Sequence, residues 1–240
     1  MKSKYQLTSN SSPTMPTAAR HSLSEGLTEA KREQILGGAR IVFMRDGFDA
    51  TSMEQVAREA NVSKGTLYNY FEGKEALFGA LIEDECTAMR QNVFSLETAT
   101  QKPEIVLTKL GINFMTSVLQ PYQMDMYRII LAQSHKFPKL GKLFEASGPE
   151  PGTKALGLYL RQLCDKNILV IEDELRASEQ FIALCEAGMH RRAHLRVEHP
   201  TSQKIKQAVA SAVRVFLRAY AAEHSLRPKP KRNLSSQRIT

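Results

Sequence analysis

"VSKGTLYNYFEGKEAL", residues 62–77, decides how this chain is read. Ser63 stands where a helix N-cap would, yet Gly65 follows in the first turn, at a cost of about 1 kcal/mol relative to alanine. Leu67 and Phe71 are four apart and form one inward edge of a short helix. Lys64, Gly65, Thr66, Tyr68, Asn69 and Tyr70 are left around the remaining surface. Small residues and hydrogen-bond donors at a helix N-terminus are what entry into a DNA major groove requires. Gly65 lets the backbone approach the duplex, and Lys64 can donate to guanine O6/N7 or to a phosphate. Thr66 offers a hydroxyl and a methyl group. Tyr68 and Tyr70 each combine a flat apolar body with a hydroxyl, and Lys74 can help the next helix start to hold a phosphate.

Working outward, the flanking sequence supplies a scaffold for that helix. Thr28 can cap a first helix running to about Asp46, with Ile35, Ala39, Val42 and Phe43 on one face and Gly47 as its terminator. Thr51 to Glu54 has the Thr-x-x-Glu pattern of a capping box and opens a second helix facing inward through Met53, Val56 and Ala57. "ANVS" breaks it, with Asn61 as the left-handed residue. Lys74 starts a long fourth helix. Three short helices with a tight break between the second and third make a helix-turn-helix.

The text "TEAKREQILGGARIVFMRDGFDATSMEQVAREANVSKGTLYNYFEGKEALF", residues 28–78, resembles the DNA-binding domain of the TetR family of bacterial transcriptional regulators. "GF", "TS", "VA", "VSKGTLYNYF" and "KEAL" fall in order without gaps; Asn61 replaces the glycine usual in the turn. The resemblance implies that Lys64, Gly65, Thr66 and Tyr68 face bases or nearby backbone, and that Thr51, Tyr70 and Lys74 clamp phosphates. Ser52, Ser63 and Asn69 complete the expected DNA-contacting set.

Residues 77–225 read as a larger helical domain, with helices expected near 103–120, 121–134, 152–166, 174–190 and 202–223 and a short one around 139–145. "EASGPEPGT" reads as a loop. The stretch "MYRIILAQSHKFPKLGKLF" resembles the C-terminal half of a proteobacterial branch of the same regulators. A helix-turn-helix reads few base pairs, so a homodimer on a two-fold site is expected. The last two long helices are its candidates, through Phe181, Ile205, Val209, Ala212, Val213 and Phe216 in a four-helix bundle. The family resemblance further implies a pocket for a small-molecule inducer. Phe94, Phe114, Met115, Tyr122, Met126, Tyr127, Gln133 and Phe181 are its candidate lining, since Met-rich walls adapt to apolar ligands.

Composition is that of an ordinary globular chain, 42% hydrophobic and 24% charged. Its net charge of +8 is unevenly spread. The segment 226–240, "LRPKPKRNLSSQRIT", carries five basic and no acidic residues, and with residues 1–26 it is expected to be disordered. The excess charge therefore does not itself point to nucleic acid. Three widely spaced cysteines suit reduced thiols in a cytoplasmic protein. "HRRAH" places His190 and His194 four apart, but without a companion glutamate motif it reads as surface rather than metal site. Neither a phosphate loop nor a nucleophile elbow stands out, so no cofactor is expected and an enzyme is the weaker alternative; no stretch approaches the uncharged apolar run of a membrane span, so no membrane partner is expected. A sequence-tolerant architectural DNA binder is the other. The all-α regulator, probing double-stranded DNA with its first domain and a ligand with its second, accounts for more of the chain.

Overall fold

Prolines punctuate the molecule: Pro103, Pro121, Pro138 and Pro149 each open a helix at its first turn, where the missing N–H has no intrahelical partner to lose. A computed structural model describes residues 17–94 and 102–222, and the side chains of 28–94 and 102–222. The basic tail and the first sixteen residues lie outside the described residues. The helices are α1 (Thr17–Ala50), α2 (Met53–Glu59), α3 (Lys64–Tyr70), α4 (Lys74–Phe94), α5 (Pro103–Val118), α6 (Pro121–Ser134), α7 (Pro138–Ser147), α8 (Pro149–Asp165), α9 (Glu174–Glu186), α10 (Met189–His194) and α11 (Ser202–Tyr220). The chain is all-α, and the described residues contain only an isolated bridge, Leu169 to Ala221, that ties the end of α11 to the α8–α9 connection.

Four expectations need correction. The first helix begins at Thr17 rather than near Thr28, so part of the presumed leader is helical; its regular path is broken at Gly47, with φ 79° and ψ 172°. The capping box sits one residue later than read: Ser52 accepts from Gln55 N while the Gln55 side chain accepts from Ser52 N. "EASGPEPGT" is not a loop, because α7 and α8 abut at Gly148. A Cβ on Gly148 would come within 3.0 Å of Cys86 Sγ, which explains a glycine at that tight join. Finally, the expected helix 174–190 ends at Glu186, where Ala187 (φ 40°) and Gly188 (φ 78°) turn left-handed before α10.

Two cores organise the packing. The first gathers Ile35, Val42 and Phe43 of α1, Val56 of α2, Leu67 of α3 and Leu77, Phe78 and Leu81 of α4. Rings of Phe43 and Phe78 meet edge-on at 4.9 Å, and Phe48 stacks on Phe43, meets Phe78 edge-on and tilts against Phe137 of the α6–α7 connection. Met126, Ile130 and Leu140 join this core, so it extends well into the larger half expected over residues 77–225. At Gly38 the α2 end lies almost on α1: an added Cβ would sit 2.7 Å from Ala60 N, and Gln34 Nε2 donates to Ala60 O at 2.6 Å.

The second core joins α5, α8, α9, α10 and α11. Phe181 and Phe216 pack edge-on at 5.3 Å, and Gly111 leaves room for Val209, whose Cγ1 would lie 2.7 Å from a Cβ there. The structure places the stripe expected at the dimer contact inside this core. Phe181, Ile205, Val209, Ala212, Val213 and Phe216 are each at most 6% exposed inside their own chain. Full burial of the Ile, Val and Phe side chains among them stabilises by about 1.5–3 kcal/mol each.

Candidate nucleic-acid interface and cavity

The turn before α3 is built by local hydrogen bonds. Asn61 takes φ 51°, and Val62 N donates to Ala57 O at 2.9 Å, closing the end of α2. Ser63 Oγ then caps α3 by accepting from Thr66 N at 3.0 Å. Leu67 is fully buried and Phe71 nearly so, which fixes the rotation of the helix. Ser63, Lys64, Gly65, Tyr68 and Asn69 are exposed together, with Thr66 and Tyr70 half-buried at the edges. Tyr68 is 44% exposed, so its ring and hydroxyl are open to a partner. The glycine has no internal reason. A Cβ at Gly65 would meet only Ser63 Oγ at 3.8 Å, ordinary contact, so nothing within the fold demands its absence.

Two lysines of the expected set are already engaged. Lys64 pairs with Glu54 of α2, and its ammonium lies 5.8 Å from the Tyr68 ring. That hydrogen bond raises the lysine pKa and lowers the glutamate's. Lys74 donates to Asp49 O at 3.1 Å and sits over the Phe48 ring at 4.7 Å, leaving other N–H groups free to donate. Thr51 is a correction. It is 3% exposed and its hydroxyl donates to Gly47 O at 2.6 Å, so its side chain braces the α1–α2 junction rather than clamping a phosphate. Ser52, half-buried, stands at the α2 N-terminus.

At Cys86, 16 residues beyond the end of α3, α4 enters the wall of a cavity of about 410 Å³ shared with α5 to α10. That volume falls in the range of small-molecule sites. Of the expected lining, Phe94, Phe114, Met126 and Tyr127 are there. Four others are not. Met115 and Phe181 are wholly buried in the second core. Gln133 is turned to Asp49 Oδ2 at 2.8 Å, and Tyr122 lies under the Arg40 guanidinium at 5.8 Å. Burial raises the Tyr122 pKa, with Glu85 acting in the same direction.

Sequence reasoning missed the polar part of the wall, which includes Arg90, Gln123, Glu145, Glu179, Glu186 and His190. The "HRRAH" spacing was the available signal, and reading it as surface was wrong for His190. Its Nε2 lies 2.9 Å from His194 Nε2, and Tyr127 packs on both rings at 5.5 and 5.0 Å. Burial, then the neighbouring His194, pushes His190 down to about 4, so it is a neutral imidazole at pH 7. Burial raises the Glu186 pKa. Burial also lifts the thiols, Cys86 to about 11 and Cys185 to about 12, which removes thiolate chemistry from both. Among the described residues no group of three or more His, Cys, Asp or Glu could hold a metal, and no helix is long and apolar enough to cross a membrane.

Known proteins resemble both halves. Residues 35–81 match the family described as bacterial regulatory proteins of the tetR family, and residues 105–222 match the AefR-like transcriptional repressor C-terminal domain. The regulator UidR of Escherichia coli K12 is 44% identical over 57 residues, which are 23% of this chain and only 29% of UidR. A TetR-family transcriptional regulator from Mesorhizobium loti MAFF303099 shares the fold with TM-score 0.76 over 80% of this chain and 98% of its own, at 22% identity. The flavonoid-responsive regulator FrrA is 30% identical with TM-score 0.71, covering 81% of this chain and 99% of FrrA. With an N-terminal and a C-terminal family match in tandem and a relative aligned over nearly its whole length, the chain belongs to the TetR family of bacterial transcriptional regulators.

Proposed function

We propose that the chain is a sequence-specific DNA-binding repressor, located in the cytoplasm, that acts as a homodimer on a palindromic operator and is released by a small, largely apolar ligand. The observation that carries this reading is the outer side of α3, where Lys64, Gly65, Tyr68 and Asn69 share one exposed surface although the fold has no internal need for the glycine. Such a side can slot into a major groove, and two copies one helical turn apart would read a two-fold site. The contact between copies uses outward residues, since the buried stripe on α11 is occupied by its own chain.

The cavity supplies the ligand side of the reading. Met89, Phe94, Phe114 and Phe144 offer apolar walls, while Gln123, Glu186 and His190 offer a few polar groups to orient a guest. FrrA is described as flavonoid-responsive. A flat polyphenol, with several hydroxyl groups on aromatic rings, matches this mixture of ring-accepting walls and hydrogen-bonding side chains, and is our choice of ligand class. Filling the cavity shifts the dimer toward a state that fits DNA less well, so ligand and operator weaken each other reciprocally.

Selection of duplexes from a random pool tests the first half. The expected product is a palindrome whose half-sites lie about 10 bp apart or at a multiple of that spacing. Binding that is equal for all duplexes and falls steeply with salt would instead identify a sequence-tolerant architectural protein. Titrating a common flavonoid such as apigenin into the complex tests the second half, with loss of operator affinity expected.

A further inference from the structure

A chain of polar contacts leads from the cavity wall to the helix-turn-helix. Gln123 of α6 lines the cavity, and its Nε2 donates to Glu85 Oε2 of α4 at 3.0 Å. The other oxygen of that carboxylate accepts from Arg40 Nε of α1 at 2.6 Å. Glu85 is the enclosed member, its side chain 12% exposed, whereas Arg40 is 37% exposed and also bonds Asp84 Oδ2 at 3.2 Å. One carboxylate therefore holds a cavity residue with one oxygen and a helix of the DNA-facing unit with the other.

A second strap joins the same two halves without touching the cavity. Gln133 of α6 donates to Asp49 Oδ2 at 2.8 Å, and Lys136 lies 3.8 Å from Asp49 Oδ1. The two straps differ in what a guest can reach. A guest that draws the Gln123 amide toward itself leaves Glu85 Oε2 without that donor in an enclosed position, which is costly. Glu85 then moves to regain a partner, and the Arg40 contact on α1 changes with it.

We propose that Glu85 is a positioning residue that ties the setting of the helix-turn-helix to the state of the cavity wall at Gln123. The proposal rests on the reading of α3 as a DNA-binding face and adds the route by which the cavity addresses it.

A mutant cycle tests the route without needing the natural ligand. Operator affinity is measured on the full-length protein, with the duplex recovered from random-pool selection, for wild type, Gln123→Met, Arg40→Gln and the double variant. The same four are measured in a Glu85→Met background, with Glu85→Gln as the alternative if the methionine variant does not fold. The expected result is non-additivity of roughly threefold or more when Glu85 is present, and additivity when it is replaced. Gln133→Leu should combine additively with Gln123→Met. Thermal unfolding of each protein separates a merely structural role, which would move unfolding temperatures and leave affinities additive. Additive affinities in the Glu85 background would overturn the route while leaving DNA recognition in place. If wild type prefers no duplex, the DNA-binding reading fails, and the route with it.

Discussion

On α3 the residues singled out from sequence are those left over once Leu67 and Phe71 are taken into the core, whereas on α11 they are the ones the core takes. Both helices are amphipathic, and in both the apolar spacing is read correctly. The outcomes differ because periodicity identifies a buried face but not what buries it. On α11 the Ile205–Phe216 stripe is covered by α5 and α9 of its own chain. On α3 the informative signal is the reverse, a glycine and an open tyrosine that the core never asks for. Residues unexplained by packing carry functional information that residues explained by packing do not.

The sharpest way to break this comparison is Phe216→Ala. If the stripe is internal core, the loss is about 3–5 kcal/mol in denaturant unfolding, while folded molecules keep the wild-type sedimentation mass. A stripe that formed the subunit contact would instead yield folded monomers. Tyr68→Ala should show the opposite pattern: unfolding stability within about 0.5 kcal/mol of wild type, with specific operator binding weakened by about 1–3 kcal/mol in a gel-shift or anisotropy titration. A Tyr68→Ala protein that unfolds early would place that ring in the core after all.

The cavity rim lies between these extremes, and pH sharpens it. Folded His190 takes up a proton only near pH 4, while the unfolded chain takes it up near 6.5. Its contribution to stability is therefore present above pH 6.5 and is lost as pH falls toward 4. Glu186, raised by burial, acts with the opposite sign, losing its contribution as pH rises above 4.5. Comparing wild type with His190→Gln across pH 4 to 7 isolates the imidazole, and the variant should show the shallower decline on acidification. The smallest effect is expected from Glu54→Gln. Freeing the exposed Lys64 from its pair should leave the unfolding midpoint unchanged and tighten binding to every duplex by roughly threefold or less, more at low salt.

The helix-turn-helix was legible because its signals are local. Asn61, Ser63, Leu67 and Phe71 act within one turn of themselves, and each does what its chemistry indicates. The one-residue error at Thr51 arose because two hydroxyl residues stand side by side. Only tertiary placement, with Thr51 turned to Gly47 O, leaves the capping role to Ser52. The cavity was half legible. Phe94, Phe114, Met126 and Tyr127 line it, but Met115 and Phe181 belong to the same residue classes and differ only in the direction the packing turns them. Gln133 and Tyr122 were lost to partners 84 and 82 residues away in the chain, Asp49 and Arg40, which no local pattern reveals.

The seating of Ala60 against Gly38 has a consequence for how such a molecule can be regulated. At that point α2 rests on the α1 backbone with no side chain larger than the Ala60 methyl in the contact, and the tight Asn61 turn hands that rigidity on to α3. Such a head is better suited to being tilted or carried sideways than to being reshaped. In the dimer proposed above, control would then work like the aiming of an instrument, by changing where two unaltered heads point.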